Sequence, residues 1–176
     1  MPAYQYFFVI FCCFIVIASC AHAKTKLIVG TQAPEFQLYD ENGVLHRLST
    51  LRGKKVALIF YPLDQSPWCT QQVCSIRDGF TDLQAAGIIV LGINPGSQKS
   101  HKAFKEKHNL PFPLLSDTNK KIAKAYGAKR PLGLPNKRIT VLIDAQGKVI
   151  AVLRKIRIAE HAQDIMQAFK SQHTPQ

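Results

Sequence analysis

Cys69 and Cys74 lie in the stretch SPWCTQQVC at residues 66–74, and they are the only thiols of the 176-residue chain outside its apolar N-terminus. The surrounding residues read as a helix start. Ser66 suits the N-cap and Pro67 the first helical position, where a missing N–H costs nothing. Cys69 then stands third in the helix, where free N–H groups and the positive end of the helix dipole favour a thiolate over a thiol. No Lys or Arg lies between Tyr61 and Gln72, so a cation at this sulfur has to arrive from elsewhere in the fold.

Five residues of helix turn Cys74 roughly 140° away from Cys69 and separate their Cα atoms by roughly 8.5 Å. A disulfide tolerates no more than about 7 Å, so the bond cannot form until the helix unwinds. The spacing therefore argues against a fixed structural disulfide and for a pair with two states. It also argues against a shared metal, because ligands on one helix face recur at three or four residues. A mobile thiol pair of this kind suits one chemistry. An oxidant converts the first thiolate to a sulfenic acid, and the second thiol condenses with it before oxidation becomes irreversible.

The elements around the cysteines follow from hydrophobic periodicity. Residues 35–48 read as two short strands around a turn at Glu41-Asn42-Gly43, whose Asn-Gly pair is a strong hairpin signal. The apolar run KKVALIFYP is of strand length and suits a central strand covered on both faces. From residue 66 the period becomes helical, with Val73, Ile76, Phe80 and Leu83 on one face and an expected end near Gly87. IIVLGIN reads as a second buried strand, and residues 97–109 as a polar helix anchored by Phe104. Residues 111–117 read as extended, and 118–127 as a short helix. The stretch RITVLIDAQGKVIAVLRK reads as a hairpin turning at 145–147, and residues 159–172 as a closing helix. This order predicts an α/β chain with a mixed central sheet, helices on both faces and an N-terminal β-hairpin extension, the thioredoxin-like architecture. In open α/β sheets ligands sit beyond the carboxyl ends of strands, and the strand ending near Tyr61 leads directly to Cys69.

Composition bounds the rest. Apolar residues make up 47% of the chain, with no repeat and no low-complexity linker, which fits one domain over residues 24–176. The first 23 residues contain no Lys, Arg, Asp or Glu, and the apolar run at 7–21 is short for a bilayer span and fits a signal peptide. Ala21-His22-Ala23 predicts cleavage ahead of Lys24, whereas Ile17-Ala18-Ser19-Cys20 resembles a lipobox that would leave Cys20 lipidated on a membrane surface. The n-region lacks the usual basic residue. Export to the bacterial periplasm is expected on either route, a compartment where disulfides persist. The net charge of +12 is spread over several basic clusters with no nucleic-acid motif, so a solvated basic surface is expected and nucleic acid is not.

The stretch YPLDQSPWCTQQVC resembles the active-site motif of peroxiredoxins, P-x-x-x-T/S-x-x-C, with Pro62, Ser66 and Cys69 on its defining positions. The second cysteine five residues on is similar to the bacterioferritin-comigratory, or Q-type, branch of the AhpC/TSA-like superfamily. GTQAPEFQLYDENG, LRGKKVALIFYP, SHKAFKEKHNLPFPLLSD and RITVLIDAQGKVI resemble further segments of that branch, over residues 29–169. The resemblance implies a thioredoxin fold and a thiol peroxidase acting on hydrogen peroxide and organic hydroperoxides. It implies Cys69 as peroxidatic nucleophile, Cys74 as resolving thiol, and a Cys69–Cys74 disulfide reduced by a thioredoxin-like donor. Arg138 would supply the cation, Ser66 a hydroxyl to the peroxide, and Pro62 a shield from water. A monomer is expected, with no cofactor and no metal. Trp68 stands where the branch has Gly and is expected to pack and to line the pocket entrance. Ser66 replaces the more frequent Thr. His101 and His108 are expected to be solvated on their polar helix.

Two other chemistries remain open on the residues alone. A thiol-disulfide exchange protein would want C-x-x-C, and a copper-binding module closer cysteines with a matching His.

Overall fold

The computed structural model describes residues 27–171; the expected signal peptide, its two cleavage signals and Cys20 lie outside them. Strands β1 (Gln37–Tyr39) and β2 (Leu45–Arg47) form the N-terminal hairpin as a separate two-stranded sheet. Its turn is held by the Asp40 carboxylate, which accepts the amides of Asn42 and Val44 at 2.9 Å each. Gly43 sits at φ +78°, a conformation that favours glycine.

The central sheet contains β3 (Lys55–Phe60), β4 (Ile88–Asn94), β5 (Leu114–Ser116), β6 (Ile139–Ile143) and β7 (Val149–Leu153). Their spatial order is β5-β4-β3-β6-β7; β3, β4 and β5 run parallel, β6 pairs antiparallel with β3, and β7 pairs antiparallel with β6. The extended segment expected at 111–117 thus contributes an edge strand. Alternation along β3 divides the core in two. Val56, Leu58 and Phe60 join Phe36, Leu48 and Tyr126 on one face, the side of the short helix α4 (Lys121–Ala125). Ala57, Ile59 and Tyr61 join Cys69, Val73, Phe104 and Ile165 on the other. That second face is covered by α1 (Pro67–Asp78), α2 (Phe80–Ala85), α3 (Gln98–His108) and α5 (His161–Ser171). Helices therefore lie on both faces of a mixed sheet, as the sequence pattern predicts.

One expected helix is two. The continuous period over residues 66–87 breaks at Gly79, where the chain leaves helical geometry (φ −98°, ψ 12°) between α1 and α2. Packing accounts for the glycine at this position. A Cβ on Gly79 would stand 2.5 Å from the Ala162 Cβ, so only glycine lets α5 approach this closely.

Gly79→Ala is therefore expected to force α5 outward and destabilise the fold by about 1–3 kcal/mol, a value typical of overpacking. A lowered urea midpoint with unchanged slope checks it; an unchanged midpoint contradicts the packing account.

Candidate active site

Helix α1 begins as its first residues dictate: Ser66 is extended at φ −73°, ψ 141°, Pro67 follows, and Thr70 donates its amide to the Ser66 carbonyl at 2.9 Å. Cys69 is the third helical residue. The Ser66 side chain departs from its expected capping role. Its hydroxyl turns back to the Leu63 carbonyl at 3.4 Å, and no side chain caps the helix. Pro62 is half-buried in the loop that joins β3 to α1.

The Cys69 side chain faces the sheet at 1% exposure. The missing cation arrives from the start of β6: Arg138 Nη2 donates to Cys69 Sγ at 3.4 Å. Arg138 is held in turn by Gln72, whose Oε1 accepts from Nη1. Gln72 lies three residues beyond Cys69 on the same face of α1 and is fully buried. Its Nε2 lies 3.1 Å from His161 Nδ1, and His161 Nε2 lies 2.9 Å from Thr140 Oγ1. His161 is also fully buried, at the start of α5. A second tie runs beside it: Ser75 Oγ accepts the His161 amide at 3.0 Å and donates to the Ala159 carbonyl at 3.0 Å.

A buried carboxylate anchors the loop ahead of α1. Asp64 accepts from Tyr61 Oη at 2.8 Å, Asn94 Nδ2 at 2.7 Å and Ser100 Oγ at 2.6 Å, and pairs with His101 Nδ1 at 2.9 Å. Burial alone would raise its pKa. The hydrogen bond and charge of His101, with the bonds from Ser100 and Tyr61, outweigh it and hold the carboxyl below its ordinary value. Burial and the neighbouring Asp64 push the Tyr61 phenol well above its ordinary value, so Tyr61 is a neutral donor.

Cys74 is half-buried on α1, and both it and Cys69 are free thiols. Three expectations need correction. His101 is fully buried, because Asp64 offers it a partner from another element. His108 is half-buried and stands edge-on to the Phe104 ring at 5.0 Å. Trp68 does not pack as expected: it is 66% exposed, because Cys69, Gln72, Val73 and Ile76 occupy the inward face of α1 and turn it outward. Among the described residues there is no cluster of three or more metal-ligating side chains.

Gln72 could have been found from its spacing, three residues from Cys69 on an inward helical face. His161 and Thr140 carry no such signal; they reach the site only through the tertiary fold.

The profile of the AhpC/TSA family matches residues 29–152. Peroxiredoxin Bcp of Bacillus subtilis is 36% identical over 150 residues, which cover 81% of this chain and 94% of that protein. Among solved structures, peroxidoxin BcpB of Mycobacterium tuberculosis superposes with a TM-score of 0.78 at 29% identity, covering 85% of this chain and all of its own. The bacterioferritin comigratory protein of Xanthomonas campestris gives 0.72 at 28% identity, covering 79% and 92%.

Burial, first of all, lowers the His161 pKa from 6.5 to about 4; Asp164 opposes that shift and Arg138 reinforces it. The folded state therefore binds fewer protons than the unfolded chain between these two values, and stability falls as pH drops through that window. The expected loss from pH 7 to pH 4 is about 3 kcal/mol. Urea unfolding across this range checks it, and His161→Asn, which has no titrating ring, is expected to flatten that component.

Proposed function

The chain belongs to the AhpC/TSA family, in its Bcp/peroxiredoxin Q branch, and we propose that this thiol peroxidase works through Cys69 as nucleophile and Cys74 as resolving thiol. The observation that carries the reading is the buried Cys69 sulfur at a helix N-terminus with the Arg138 guanidinium 3.4 Å away.

In the first step the Cys69 thiolate attacks the terminal oxygen of ROOH. The O–O bond breaks, the sulfur becomes a sulfenic acid, and RO⁻ takes a proton and leaves as ROH. Arg138 and the free amides of the first turn act twice: they favour the thiolate, then stabilise charge growing on the leaving oxygen. Ser66 needs only to rotate from its long bond to Leu63 to offer its hydroxyl to the peroxide. Pro62 limits water at the sulfur. Trp68 and Leu63, both exposed, give the approach an apolar character suited to the alkyl group of an organic hydroperoxide. The Xanthomonas campestris relative is described with alkyl peroxide reduction activity, and we extend that substrate class to this chain together with hydrogen peroxide.

In the second step the Cys74 thiol attacks the sulfenic sulfur, and water leaves as the disulfide forms. Cys69 and Cys74 lie on one continuous helix, so α1 has to unwind between the two steps. A thioredoxin-like dithiol then reduces the disulfide by exchange. Monomeric action and export to the bacterial periplasm, by cleavage after Ala23 or lipidation at Cys20, belong to the same reading.

One equivalent of peroxide added to the reduced protein is expected to give a Cys69–Cys74 disulfide, read by mass mapping. Cys69→Ser is expected to abolish peroxide consumption, and Cys74→Ser to stop at the sulfenic acid. Arg138→Met is expected to slow Cys69 oxidation about 100-fold, the order found when a stabilising donor is removed. Rapid peroxide consumption by Cys69→Ser would remove this assignment of the nucleophile.

A further inference from the structure

The path from Thr140 through His161 and Gln72 to Arg138 has a defined direction. A guanidinium only donates, so the oxygen of the Gln72 amide has to face Arg138 and its NH₂ has to face His161. Gln72 Nε2 therefore donates to His161 Nδ1, and that ring nitrogen carries no proton. The remaining ring proton sits on Nε2 and is donated to Thr140 Oγ1. Every group on the path is set by the next one. A proton on Nδ1 would confront the Gln72 NH₂, turn the amide over and present its NH₂ to the guanidinium.

We propose that His161 is the positioning residue of this site. By accepting at Nδ1 it fixes the orientation of the Gln72 amide, and through Gln72 it holds Arg138 against the Cys69 sulfur. The inference rests on the peroxidase reading above and goes beyond it, because His161 touches neither the thiol nor the path of a peroxide.

The placement of Gln72 gives the contact a second consequence. Gln72 lies between the two cysteines on α1, so the unwinding that brings Cys74 to Cys69 withdraws the Gln72 amide from His161 and Arg138. Ser75, one residue beyond Cys74, binds the His161 amide and Ala159 carbonyl and is withdrawn with it. His161 thus holds α1 and Arg138 together in the peroxide-reducing arrangement and releases both when α1 opens. The charged groups that act on the ring are Asp164 on its own helix and Arg138 from β6.

Two variants separate this role from simple packing. His161→Phe keeps the ring volume and removes the acceptor; His161→Asn loses volume and keeps an acceptor near the Nδ1 position. The rate of Cys69 oxidation by hydrogen peroxide can be followed through Trp68, the single tryptophan of the chain. His161→Phe is expected to slow it about tenfold, and His161→Asn to stay within about threefold of wild type. The reverse order, or two variants equal to wild type, would assign His161 to packing and overturn the inference. Long-range ¹H–¹⁵N spectra of the reduced wild type supply a reading that needs no variant to fold: the bare-Nδ1 tautomer is expected, and an Nδ1–H ring overturns the proposal. A wild-type chain inert to peroxide would instead sink the peroxidase reading, and this inference with it. A reactive wild type with the variants in reverse order sinks the inference alone.

Discussion

Strand β3 pairs antiparallel with β6 so that Phe60 lies opposite Ile139, and the site depends on that register. The pairing sets the carboxyl end of β3, which leads into Cys69, beside the start of β6, which Arg138 immediately precedes. It also fixes the face. Arg138, Thr140 and Leu142 share one parity on β6, and Leu142 is buried with Ala57, Ile59, Tyr61 and Cys69 on the face covered by α1 and α5. A slip of one residue would turn Arg138 and Thr140 to the opposite face of the sheet. The apolar core therefore enforces a polar contact between residues 69 apart in the chain.

The fold also resolves two opposed demands on α1. On the proposed mechanism the helix has to be rigid enough to hold a sulfur beside a guanidinium, and able to unwind far enough to join its own two thiols. The structure concentrates rigid attachments at the borders. At the entry, Asp64 is tied to β3, β4 and α3 through Tyr61, Asn94, Ser100 and His101. At the exit, Gly79 ends the helix against Ala162. Between them, α1 is fastened to the rest of the site by polar contacts at Gln72 and Ser75. Hydrogen bonds of this kind contribute about 1 kcal/mol each in net terms, since water replaces them when they break. Burial of Val73 and Ile76 adds an apolar hold on the same segment.

The sequence carried much of this and lacked specific parts of it. Strand alternation, the Asn42-Gly43 turn and the Ser66-Pro67 helix start are local signals, and local signals survive without a fold. Arg138 was legible only through resemblance, because no spacing ties it to Cys69. The Gly79 break was hidden by an apolar period that runs on to Leu83; the glycine is there for a neighbour, Ala162, that appears only in three dimensions. Histidines were the least legible. His101 sits among lysines on α3 and reads as solvated, yet Asp64 buries it, and His161 reads as the start of an ordinary closing helix. Whether a histidine is buried depends on partners supplied from elsewhere, and here those partners lie 37 and 89 residues away.

Electrostatics at the thiol follow the same logic of distant partners. Between residues 42 and 77 the chain carries one acid, Asp64, five residues ahead of Cys69. A bare carboxylate at that distance would oppose the thiolate. Its charge is instead taken up by three hydrogen-bond donors and His101, all directed away from α1 into β3, β4 and α3. On the opposite side of the sulfur, residues 118–143 carry no acid, so Arg138 has no competing carboxylate in its own segment. What holds it is Gln72, an uncharged acceptor. A glutamate there would bind the guanidinium more strongly and neutralise it; an amide orients it and leaves its full positive charge to the sulfur. The neutral His161 completes this arrangement, since a charged ring would repel Arg138 across the same buried path.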